Sequence, residues 1–228
     1  MSKKRVQQEL EHDILLETFS RAQSIYDNNK KLVIGTALAL VLIIGGSVGY
    51  YFYHNSQEQK AEQLMGQATE AYLNADYKKA LNGSDEDFTV GFEQIINNYS
   101  GTEAANLARY YAAVCEYNLG DNNKALNYIN EYETPEGIMG VAPLSFKAML
   151  LSNLGKYTES ANTYVKAAEW KENDSTTPYN YLEAANAFQE AGKTSEAKKY
   201  ANKIVDNYPS SSQVTEAQKL LGTLAIAQ

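Results

Sequence analysis

The sequence predicts an all-α chain in which a single N-terminal transmembrane helix precedes a solenoid of stacked helix pairs. Three observations predict it. Leu32 to Tyr53 is a run of 22 residues without a formal charge. Beyond it, four glycines recur at separations of 37, 35 and 37 residues. Only four prolines occur in 228 residues, and Ala, Leu, Glu and Lys are frequent, which favours helix.

Residues 1–29 come first. Val6, Leu10, Ile14, Leu15, Phe19, Ala22 and Tyr26 recur at steps that place them along one side of a helix. Such an amphipathic segment lies on the inner membrane surface, extends the anchor, or docks a partner.

The uncharged run sits within residues 30–54. As a helix it is roughly 33 Å long, enough for a hydrocarbon core of about 30 Å. Lys30 and Lys31 flank one end, and Tyr50, Tyr51 and Tyr53 the other, where amphipathic rings favour the interface. Arg21, Lys30 and Lys31 on the N-terminal side outweigh Lys60 on the other. The positive-inside bias therefore predicts a cytoplasmic N-terminus and an outward-facing segment from residue 55 to 228. The alternative is a cleaved signal peptide, with Leu32 to Ile44 as its apolar core and a cut near Ser47-Val48-Gly49. Against it stands a long leader containing five acidic residues.

Residues 55–228 carry 14 Lys/Arg against 23 Asp/Glu. An acidic body without a basic stripe speaks against nucleic acid as the main partner. One cysteine, Cys115, and two histidines, His12 and His54, predict no metal site, and neither a catalytic constellation nor a cofactor motif appears. Asp85 and Asp87 have calcium-loop spacing, but Val90 stands where such a loop needs glycine and Ile96 where it needs glutamate; a solvated helix-start cluster is the better reading.

The repeat is the main signal. Gly83, Gly120, Gly155 and Gly192 align. Seven residues earlier stand Ala113, Ala148 and Ala185, with Asp76 departing in the first unit. Five residues later come Phe88, Ala125, Ser160 and Ala197; nine later Phe92, Ile129, Tyr164 and Ala201; twelve later Ile95, Tyr132, Ala167 and Ile204. The glycine supplies a left-handed turn between antiparallel helices, and small residues let those helices approach closely. One such hairpin cannot bury its apolar face alone, so neighbours stack. Inserts at Thr134 to Gly140 and Lys171 to Thr177 lengthen two connections. "IINNYSGTEAA" and "IVDNYPSSSQVTEA" echo each other because both end a second helix and open the next first helix; the run Val214 to Ala227 then caps the stack.

"FKAMLLSNLGKYTESANTYVKAAE" and "EAANAFQEAGKTSEAKKYANKIVDNYP" resemble the tetratricopeptide-repeat family, across roughly residues 60–222. The usual tryptophan near the start of each unit is absent. The resemblance implies that the first helix of each pair lines a peptide-binding groove. By position these are Leu107, Tyr110, Val114, Tyr117 and Asn118, then Ala142, Ser145, Met149, Ser152 and Asn153, then Tyr179, Leu182, Asn186, Gln189 and Glu190. The mixture is aromatic, aliphatic and amide. It lacks the Lys and Arg that a reader of acidic C-termini needs.

A short cytoplasmic segment, one anchor and an external repeat domain together resemble the ancillary SecYEG translocon subunits of the YfgM type. That resemblance implies a bacterial plasma-membrane protein with its bulk in the periplasm. Its partners would be the SecYEG translocon, a PpiD-type membrane-anchored chaperone, and unfolded or nascent polypeptides held in the groove. The competing reading is a scaffold that joins envelope complexes and never touches unfolded chains.

Overall fold

The computed structural model describes residues 3–86 and 88–226, with residues 3–15 described by their backbone alone. The side chains of Val6, Leu10, His12, Ile14 and Leu15 thus lie outside the described residues, as do Asp87 and Ala227. The chain divides into two compact units, Met1–Ser56 and Gln57–Gln228.

The first unit is helical. Helix α1 spans Lys3–Asn28, and helix α2, Lys30–Leu73, begins in this unit and ends in the second. Helix α2 is long and apolar enough to cross a membrane, and its apolar window is not buried by protein. Leu38, Leu42, Ile43, Tyr50 and Tyr53 are all exposed. The two aliphatic hydroxyls of this stretch bond within the helix: Ser47 Oγ donates to the Ile43 carbonyl at 2.7 Å and Thr36 Oγ1 to that of Val33 at 3.0 Å.

The second unit is a stack. After the end of α2 come α3 (Tyr77–Asn82), α4 (Phe92–Asn98), α5 (Glu103–Asn118), α6 (Asn122–Glu131), a 3-10 turn (Gly137–Gly140), α7 (Val141–Asn153), α8 (Tyr157–Trp170), α9 (Thr177–Glu190), α10 (Thr194–Asn207) and α11 (Val214–Ile226). From α4 onward each helix packs against the next, and α11 covers the end of the row. Among the described residues there is one isolated β-bridge, Ser84 with Thr89, and no strand. The buried residues form consecutive clusters rather than one centre. Phe92, Ile95 and Ala108 belong to the first, Ala125, Ile129 and Leu150 to the second, and Phe188, Ile204 and Leu224 to the last.

The same turn closes the first helix of every pair. Gly120, Gly155 and Gly192 have φ of 90°, 72° and 71°. Their N–H groups donate to Tyr117, Ser152 and Gln189 at 2.9–3.0 Å, while the following N–H reaches one residue further back, to Glu116, Leu151 and Phe188. This paired bonding satisfies the last carbonyls of the helix.

The first pair corrects the alignment. Its turn residue is Ala75, at φ 58°, with Ala75 N–H to Tyr72 O and Asp76 N–H to Ala71 O at 2.9 and 3.0 Å. Gly83 instead ends α3, ahead of a short insertion that splits the second helix into α3 and α4. The turns therefore stand 45, 35 and 37 residues apart. Phe88, expected in the core, is 86% exposed at φ 56° within that insertion. Asp76 is not a misplaced small residue but the cap of α3, its carboxylate accepting from Lys79 N–H at 3.2 Å, as Asp121 caps α6 through Lys124 N–H at 3.0 Å. Nor does the acidic cluster open a helix: Asp85 and Glu86 lie in the insertion, upstream of the α4 cap at Gly91.

With Ala75 in register, the small positions become regular. Ala68, Ala113, Ala148 and Ala185 face Ala80, Ala125, Ser160 and Ala197, and all eight are fully buried. The Ser160 hydroxyl donates to the Ala148 carbonyl at 2.8 Å, so its burial leaves no unpaired group. The echoed phrases are structurally equivalent. Tyr99 and Tyr208 each return an N–H to the isoleucine four residues back, Ile95 and Ile204, at 3.0 and 2.9 Å, and their carbonyls accept from Thr102 and Ser211 at 2.9 Å.

Candidate interaction face

Helices α5, α7 and α9 are the first members of their pairs and carry the residues expected in the groove. Leu107, Tyr117, Asn118, Ala142, Asn153, Tyr179, Asn186 and Glu190 are exposed; Tyr110, Val114, Ser145, Met149, Ser152, Leu182 and Gln189 are half-buried. Leu107, Tyr117 and Tyr179 keep 43%, 37% and 45% of their surface open, a large apolar area that packing leaves unused.

Two side-chain clasps join neighbouring first helices. Between α5 and α7, the Phe146 ring meets Tyr110 at 6.1 Å and Tyr117 at 5.7 Å, both edge-on. Between α7 and α9, Ser145 Oγ donates to Asn180 Oδ1 at 2.6 Å, and Asn180 Nδ2 donates to the Thr176 carbonyl at 2.9 Å. Asn180 is 1% exposed, so this amide is a fixed strut, not a ligand contact.

The expected residues therefore divide. Tyr110 is committed to packing: its ring also touches Tyr132 at 5.6 Å, and burial, then Tyr132 and Tyr111, push its hydroxyl pKa upward. The Asn118 amide is bound to its own helix, donating to Val114 O at 2.7 Å. Met149 fills space between two buried clusters. Leu107, Tyr117, Asn153, Tyr179 and Asn186 remain outward. On α9, burial raises the carboxyl pKa of Glu183, and burial followed by Glu183 raises that of Tyr179.

The end of α2 also belongs to this face. Glu58, Glu62, Met65, Thr69 and Leu73 follow three- and four-residue steps along it. Leu107 lines an open cleft of about 700 Å³ with Glu62, Met65, Tyr132 and Pro135, and a second of about 500 Å³ with Met65, Gly66, Leu73 and Tyr111. Glu58 ties this wall to α5: its two carboxylate oxygens accept from the N–H groups of Glu103 and Ala104, both at 2.8 Å. Thr102 Oγ1 accepts from Ala105 N–H at 3.0 Å and completes the cap. Across the cleft, Asn106 Nδ2 donates to Glu133 O at 3.0 Å and Asn106 Oδ1 accepts from Glu133 N–H at 2.8 Å. The 3-10 turn is pinned by Trp170, whose indole N–H donates to Pro135 O at 3.0 Å. A Cβ at Gly140 would collide with both of those groups, which is why glycine stands there.

Sequence reasoning missed this wall, Phe146 and Asn180. The three-four stripe from Glu58 to Leu73 was the available signal for the wall. Phe146 and Asn180 act across helices far apart in sequence, and a single chain's periodicity carries no such pairing. Among the described residues no group of three or more His, Cys, Asp or Glu is arranged to hold a metal.

The family model for the tetratricopeptide repeat matches residues 179–211. That segment covers almost all of α9, the whole of α10 and the turn after it. A search of characterised proteins finds no match to the chain.

Proposed function

We propose that this chain is a membrane-anchored repeat protein whose outward-facing domain holds polypeptide segments or partner proteins on the face of its first helices. The carrying observation is that Leu107 and Tyr117 on α5 and Tyr179 on α9 stay open on the first-helix face. The repeat match supports protein binding as the coarse function, since stacked helix pairs present extended recognition surfaces. The long apolar α2, with Lys30 and Lys31 at its start, supports an anchor with a cytoplasmic N-terminus.

In its finer form the proposal puts the protein in the bacterial plasma membrane, its bulk in the periplasm beside the SecYEG translocon. A PpiD-type chaperone is its neighbour and emerging chains are its clients. Energetics suit such a role. At about 25 cal/mol per Å², a few hundred Å² of apolar contact leaves only a few kcal/mol once ordering is subtracted, so clients bind weakly and leave quickly.

Affinity purification of the full chain from detergent-solubilised membranes, with mass spectrometry, tests this reading. Translocon components and secretory chains are expected with the wild type and lost with Leu107→Asp/Tyr117→Asp. One folded envelope partner in their place makes the protein a scaffold and overturns the client-holding reading.

A further inference from the structure

The two clefts lined by Leu107 share Met65 as well, so they form one groove between the end of α2 and α5. Its floor is apolar: Met65, Leu107, Tyr111 and, at the far end, the 76% exposed Leu73. Its rim is acidic. Glu58, Glu62, Glu103, Glu133 and Glu136 all line the larger cleft. The Glu58 carboxylate is spent on the α5 N-terminus. The remaining four take no part in any ion pair among the described residues.

We infer that this groove takes an extended peptide segment in which apolar side chains are flanked by Lys or Arg. The inference rests on the proposed polypeptide-holding function and adds the chemical class of the ligand. The apolar side chains cover Met65 and Leu107, while the cationic ends meet the four unpaired carboxylates. An anionic segment is disfavoured by the same rim, because its charge meets four carboxylates of like sign. The acidic excess of the whole domain, 14 basic against 23 acidic residues beyond position 54, steers a cationic segment toward it.

The test uses the full-length chain in detergent micelles and short fluorescent peptides sharing one Leu/Phe centre, with flanks of Lys, Gln or Glu. The Lys-flanked peptide is expected to bind about tenfold or more tighter than the Glu-flanked one, with the gap closing as salt rises. Glu62→Lys/Glu136→Lys, at two exposed positions whose side chains make no hydrogen bond among the described residues, is expected to reverse the order. Leu107→Asp is expected to weaken all three peptides while circular dichroism stays helical. Leu107-dependent binding that ignores flank charge overturns the cationic inference and leaves the polypeptide-holding function standing. Lys-flanked binding unaffected by Leu107→Asp moves the site elsewhere and also overturns it. No binding of any peptide to the folded chain overturns both.

Discussion

Cys115 and Glu183 show what burial does to single groups in this stack. The Cys115 thiol is fully buried, and burial, with Glu116 beside it, pushes its pKa up to about 12. Thiolate is then nearly absent at neutral pH, and no reagent reaches the sulfur. In the folded protein Cys115 is expected to stay unlabelled by a thiol reagent at pH 8 and to react in full once urea unfolds the domain, which mass spectrometry reads directly. Glu183 carries the opposite liability. Burial raises its folded pKa, so the carboxyl's contribution is most favourable below the ordinary carboxylate range and is lost as pH rises through the raised folded value. Glu183→Gln is therefore expected to melt higher than wild type at pH 7, with the difference vanishing as pH falls through the carboxylate range. Thermal melts across that range check the sign.

At the scale of elements, the turn between paired helices is the recurring device, and it was legible wherever it used glycine. Gly120, Gly155 and Gly192 announce themselves because a left-handed residue at a fixed period is costly for anything else. The first turn was not legible. It uses Ala75, and the insertion before α4 happens to leave Gly83 37 residues from Gly120, mimicking the period. The positions around Phe92 and Ile95 kept their core role because the insertion ends just before them, whereas Phe88 fell inside it and points outward. This assignment has a direct consequence. Ala75→Gly is expected to stabilise the domain by up to about 1 kcal/mol by relieving the left-handed alanine. Gly155→Ala is expected to cost about 1 kcal/mol although no atom obstructs its Cβ, since the cost is conformational. Urea midpoints at unchanged slope measure both.

At the scale of the whole molecule, the second unit is a repeat stack in which each helix chiefly meets its neighbours in sequence, and that local logic explains what one chain could reveal. Helix pairing, the capping role of α11 and the equivalence of the two echoed phrases follow from short-range pattern. The groove does not follow so readily. The exposure of Leu107, Tyr117 and Tyr179 was legible by position, but Tyr110, a tyrosine like two of them, is committed inward, and the Asn118 amide is bound to its own helix. The wall from Glu58 to Leu73 was hidden because it belongs to the same helix as the apolar run, and its role depends on Glu58 reaching the start of α5, 45 residues away. Photo-crosslinking in intact membranes bears most directly on the central claim that the first-helix face is the working surface. A photoreactive side chain at Leu107, Tyr117 or Tyr179 is predicted to give polypeptide adducts, while one at Asn162 or Asn202, exposed on the second helices α8 and α10, gives few. Adducts of equal yield from both sets, or from Asn162 and Asn202 alone, would contradict it.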